Sequence, residues 1–184
     1  MKNVVIGSLL GGLVLFIWGF LFWGLSPFAY SALSHAAPDD ATAGQALMQH
    51  FPQTGTYYIP GPHNPPDQLK TLHEAGPVAF VFFNREGKPL MAPSVMITGF
   101  VHCIVLAFLV ALALNSLGNA LPGYGERVRL IVLFGLAASL WGPVAQIIWW
   151  YYPPAWQWWV AFEQFVAWVL LALVLARFVR PKAA

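Results

Sequence analysis

The chain has 184 residues, of which 59% are hydrophobic and only 9% charged, with a formal net charge of +2. Soluble domains carry about 25% charged residues, so most of this surface must face something other than water. The small charge excludes an electrostatic footprint for nucleic acid, and the single cysteine, Cys103, excludes an intrachain disulfide.

The first apolar run, Val4 to Leu25, contains no charged side chain. It is too long for the core of a cleaved secretory signal, which spans about 7–15 residues. Residues 1–25 are therefore expected to be a retained signal anchor. Gly7 and Gly11 stand four apart in it, a spacing that lets helix backbones approach closely. Trp18, Phe20, Phe22 and Trp23 crowd its far end, where indole rings favour the headgroup level.

Residues 26–92 form the one long polar stretch and hold more than half of the chain's 15 prolines. Asp39-Asp40 is a capping signal for a helix to about Phe51, and Asp67 for another to about Glu74. Thr54–Ile59 and Val78–Phe83 read as strands, the second followed by a hairpin turn at Asn84–Lys88. The expectation is a small α/β cap of two or three strands. At this size, without a disulfide, it needs helix ends or a partner to stay ordered.

Residues 93–184 carry three more runs of spanning length, about 20 residues each. They are Pro93–Leu117, Val128–Trp150 and Ala155–Phe178, with a loop at 118–127 and a C-terminal tail. Gly142-Pro143 interrupts the third span and predicts a kink. Trp149, Trp150, Trp156, Trp158 and Trp159 surround the Pro153-Pro154 break and read as interfacial anchors. Lys2, Arg127, Arg129, Arg177, Arg180 and Lys182 all flank the spans on one side if there are four. Positive-inside then predicts cytoplasmic termini and a periplasmic cap in a bacterial inner membrane. The fold expected is an all-α four-helix membrane bundle with a small α/β insertion. Its general plan is shared with claudin-like proteins, whose paired loop cysteines this chain lacks, and no membership follows.

Glu163 is the only acidic side chain inside the four spans, and a carboxylate in hydrocarbon must be protonated, paired or turned inward. Counting about 1.5 Å per residue places Glu163 and His102 at similar depth. Together with Gln146 and the adjacent Gln164 they form a candidate buried polar cluster, suited to proton transfer, to a ligand, or to interhelical hydrogen bonding alone. Only His102 lies within a span, so a bis-histidine haem is disfavoured. His35, His50, His63 and His73 match no metal-ligand spacing, and no metal is expected. No nucleotide loop, nucleophile elbow or paired catalytic carboxylate occurs. The function expected is non-enzymatic: a subunit or assembly factor of a larger membrane complex, touching lipid and other membrane subunits or its own copies. The alternatives are a redox-linked protein holding a quinone or other cofactor near His102 and Glu163, and a homo-oligomeric transporter or channel lined by Glu163.

Overall fold

In a computed structural model, which describes residues 1–31 and 35–179, four helices are long and apolar enough to cross a membrane. They are α1 (Lys2–Gly19, prolonged by a π-helical segment Phe20–Leu25), α5 (Pro93–Ser116), α6 (Tyr124–Trp150) and α7 (Pro154–Phe178). Three short helices precede α5: α2 (Pro27–Ser31), α3 (Asp40–His50) and α4 (Pro66–Ala75). Two strands, β1 (Gly55–Ile59) and β2 (Ala79–Phe83), complete the elements. Arg180 and Lys182, two of the flanking basic residues, lie outside the described residues.

Small residues decide how the long helices meet. The buried residues of α6 recur every four positions, at Arg127, Ile131, Gly135, Ser139 and Pro143. That spacing draws one stripe along a helix, and its small members let α7 approach. A Cβ on Gly135 would stand 2.3 Å from the Trp168 Cβ. On α1, Gly7 and Gly11 face Leu175 and Leu171 of α7, while Gly12 lies against the Ile104 backbone of α5. The hydroxyls of Ser8 and Ser139 turn back onto the carbonyls of Val4 and Gly135, four residues earlier, so their burial leaves no open donor. The core runs through Val4, Leu15, Ala107, Ala111, Ile131, Leu171, Ala172 and Leu175.

The resulting order in space is α5, α1, α7, α6. The extensive interfaces are α5 with α1, α1 with α7, and α7 with α6; α5 and α6 do not pack broadly on each other. Three sides of the bundle are therefore closed and the fourth is open.

Two expectations about the loops change. The α5–α6 loop is shorter than 118–127, because α6 starts at Tyr124. Glu126 accepts a hydrogen bond from the Gly123 N–H at 2.9 Å and starts the helix there, four residues before the apolar run begins. Arg127 is consequently buried inside the protein. It donates to the carbonyls of Leu121 (2.9 Å), Pro122 (2.7 Å) and Ala176 (3.2 Å), which fastens the start of α6 to the end of α7. The segment after β2 is no hairpin turn. Asn84 makes an Asx turn to the Glu86 N–H, and no strand follows among the described residues. β2 instead pairs back with β1 in antiparallel register, Gly55 opposite Phe83 and Ile59 opposite Ala79, with α4 in the connection.

Asp39 caps α3 as expected, accepting from the Ala41 N–H at 3.0 Å. α4 begins at Pro66, with Asp67 in its first turn rather than at the cap. Proline suits that first position because its missing N–H would have had no helical partner. Arg85, just past β2, donates to the carbonyls of Met48 and Phe51 and so closes the C-terminal end of α3. Phe51 fills the small cap core against Tyr57 and Phe83, at ring distances of 4.5 and 5.6 Å. The sheet then leans on the turn between α6 and α7: Tyr58 and Phe80 pack on Trp150, and His73 of α4 meets Tyr151.

Candidate functional site

Glu163 lies in the third turn of α7, on the interface with α1. The local cause is the π-helical segment at the end of α1. A π turn admits one extra residue and re-aims the side chains that follow it. Here it buries Phe22 and brings Trp23 toward α7. The Trp23 side chain lies within reach of the Glu163 carboxyl group, and Trp18, one turn earlier, donates its indole N–H to the Glu163 main-chain carbonyl at 3.0 Å. Rings close around the pair. Phe22 stands 6.1 Å from Trp159 and 6.2 Å from Phe162, and Trp23 stands 5.2 Å from Trp156.

The members of the expected polar cluster differ in exposure. His102 is exposed, on the same outward face of α5 as Val101, Val105 and Leu109. The residue of α5 that comes within electrostatic reach of Glu163 is its half-buried neighbour, Cys103. Consecutive helical residues point about 100° apart, so equal depth along two helices says nothing about a shared face. Gln146 is half-buried near the end of α6, where its main-chain carbonyl accepts from the Tyr151 and Tyr152 N–H groups as the chain turns out of the helix. Gln164 is half-buried beside Glu163.

The tryptophans divide into two groups. Trp149 and Trp158 are mainly exposed, which suits anchoring at an interface. Trp18, Trp23, Trp156 and Trp159 pack on one another or on neighbouring rings between α1 and α7, and Trp150 supports the cap. Gly7 and Gly11 lie in helix contacts and Pro143 is buried on the α6 stripe, whereas a Cβ on Gly142 would meet nothing within 4 Å.

Sequence reasoning missed Trp23 as the partner of the carboxylate, Cys103 as its neighbour, and Gln157. Gln157 is buried in the first turn of α7. The one available signal for Trp23 was its position in an aromatic run opposite a helix with a lone carboxylate. Among the described residues, no three His, Cys, Asp or Glu side chains gather closely enough to hold a metal ion.

On the open side of the bundle an apolar groove of about 600 Å³ runs between α5 and α6. Val110, Ala113 and Leu114 form one wall, Leu130, Ile131 and Phe134 the other, and Trp168 the floor. Polar atoms are nearly absent from it, so it offers shape and apolar surface but no chemistry.

No protein-family model matches the chain, and neither the curated proteins nor the solved structures contain a match to it.

Proposed function

We propose that this chain is a non-enzymatic integral membrane protein that serves as a subunit or assembly partner of a larger membrane complex, with a helix of the partner seated between α5 and α6. The open fourth side is the observation that supports this reading. α1 and α7 are each flanked by two helices, but α5 and α6 each have one broad neighbour and leave a groove between them. In a bilayer, helices associate by close packing rather than by escape from water, so a shaped apolar cleft is a place where another helix gains contacts that lipid tails make less well.

The polar groups favour the same reading over chemistry. The Glu163 carboxyl lies beside an indole in a helix interface while His102 is exposed on α5, which favours packing over a shared substrate position. The basic flanks support a reading with both termini in the cytoplasm and the cap on the periplasmic side of a bacterial inner membrane.

Extraction of the tagged protein in native nanodiscs, followed by mass spectrometry, tests the proposal. Wild type is expected to carry other polypeptides at fixed stoichiometry. Ala113→Trp, which fills the groove from an exposed position, is expected to purify alone with unchanged helical circular dichroism. A wild-type chain that purifies alone or as a closed homo-oligomer, or an Ala113→Trp variant that keeps its partners, overturns it.

A further inference from the structure

A second cavity, of about 740 Å³, lies where the cap meets the α6–α7 turn. Its size is in the range that takes a small ligand or a lipid headgroup. Tyr58 of β1, Phe80 of β2 and Trp150 at the end of α6 all line it. The three rings meet at 5.9, 5.8 and 5.3 Å, with planes crossing at 60°, 83° and 79°. Three rings at steep mutual angles form the corner of a box that presents ring faces on more than one side. A positively charged nitrogen is attracted to such faces, and aromatic cages of this kind recognise ammonium groups.

The polar residues on the same cavity give the rest of the ligand. Glu74 supplies a carboxylate and Lys70 an ammonium, both from α4, and His73 lies between them in the sequence. Lys70 and Glu74 face each other at 3.9 Å, with 76% and 68% of their side chains exposed. An exposed pair of this kind is weak and parts easily. One anion and one cation together complement a ligand that carries both charges. The His73 ring fixes the wall: its Nε2 stands 3.4 Å from the Tyr58 hydroxyl, and its centroid lies 5.6 Å from that of Tyr151.

Location selects the source. Trp150 is the last residue of a spanning-length helix, and Trp149 beside it is 72% exposed. The cavity therefore opens at the level where headgroups lie if α6 spans the bilayer. We infer that the cavity between α4, the two-stranded sheet and Trp150 binds the zwitterionic headgroup of a phospholipid. The ammonium sits against Tyr58, Phe80, Trp150 and the Glu74 carboxylate, and the phosphate is held by Lys70. The inference rests on the spanning reading of α6 and is independent of any helix docked between α5 and α6.

Native mass spectrometry of the full chain in maltoside tests it, with an equimolar mixture of dioleoyl phosphatidylethanolamine, phosphatidylcholine and phosphatidylglycerol. Tails and glycerol are shared, so only the headgroup discriminates. The first retained lipid is expected to be phosphatidylethanolamine or phosphatidylcholine over phosphatidylglycerol by about fivefold, the scale of a partly desolvated cation–π contact. Which of the two is preferred tells a primary from a quaternary ammonium. Glu74→Gln, at an exposed position that does not disturb folding, is expected to remove most of the preference. Trp150→Leu is expected to do the same, and Lys70→Gln to lower retention of all three lipids. Equal retention of the three, a preference for phosphatidylglycerol, or an unchanged preference in Glu74→Gln overturns the inference. Because the measurement uses the chain alone, a missing partner subunit does not affect it.

Discussion

Trp18 donates its indole N–H to the main-chain carbonyl of Glu163 at 3.0 Å, across the interface between α1 and α7. Trp23, further along the same helix, reaches the carboxyl group of that residue. One residue on α7 is thus tied to α1 at its backbone, with a second α1 indole beside its side chain. A helical carbonyl already accepts from the residue four ahead, and the second donor adds a bond that fixes the rotation of one helix against the other.

A double-mutant cycle separates the polar contact from the packing that is lost with an indole. Trp23→Phe is expected to lower stability by about 0.6–2 kcal/mol, the range of interhelical hydrogen bonds in membranes. Combined with Glu163→Gln in a double-mutant cycle, it should show a coupling of similar size. Thermal unfolding in detergent reads both values. Additive effects of the two substitutions would show that the contact contributes nothing.

Arg127 makes a stronger claim, because a buried cation here satisfies three main-chain carbonyls. Bonds to charged groups contribute about 1.5–3 kcal/mol, and a lysine presents a point charge rather than a fork. Arg127→Lys is therefore expected to be destabilising by about 1–3 kcal/mol, with faster amide exchange at the end of α7. A midpoint within a degree of wild type would refute the fastening role.

The glycines should rank by what a methyl group would meet. A Cβ on Gly12 would lie 2.7 Å from the Ile104 Cα and 2.9 Å from its nitrogen, and neither backbone atom can move aside. On Gly7 the nearest atom is 3.3 Å away, in a side chain. Gly12→Ala and Gly135→Ala are each expected to cost about 1–3 kcal/mol through overpacking. Gly142→Ala, with open space around it, should be neutral or stabilising by up to about 1 kcal/mol. Any other order in unfolding midpoints would contradict the packing described for α1, α5 and α6.

In the cap, the Thr42 hydroxyl and the Ala41 N–H hold the Asp39 carboxyl below the usual carboxylate range. Its value is lower folded than unfolded, so its contribution to α3 is present above the unfolded value. That contribution fades as pH falls through the lowered one. Thr42→Ala removes the largest cause and should move the Asp39 midpoint upward in an NMR titration. An unmoved midpoint would place the cause elsewhere.

The four long apolar helices were legible in the sequence because their signal is local. About twenty mainly apolar residues in a row need no partner to be recognised, and the ends of α1, α5 and α7 fall within two residues of the apolar runs. The same holds for the Asp39 cap and for both strands. α6 began earlier than its apolar run because Glu126 starts the helix through a hydrogen bond rather than through hydropathy.

Faces were a different matter. A helix that is apolar all round has no polar side to mark what is exposed, so periodicity is silent about which residues meet. His102 and Cys103 were equally apt to turn inward until α5 was set against α1 by Gly12 and Ile104. The partner of Glu163 depended on a π turn in another helix, more than a hundred residues away. The order α5, α1, α7, α6, the groove it leaves open, and the aromatic corner over Trp150 arise from contacts between distant segments. Close packing of small and large side chains selects such contacts, and only the assembled helices hold that information.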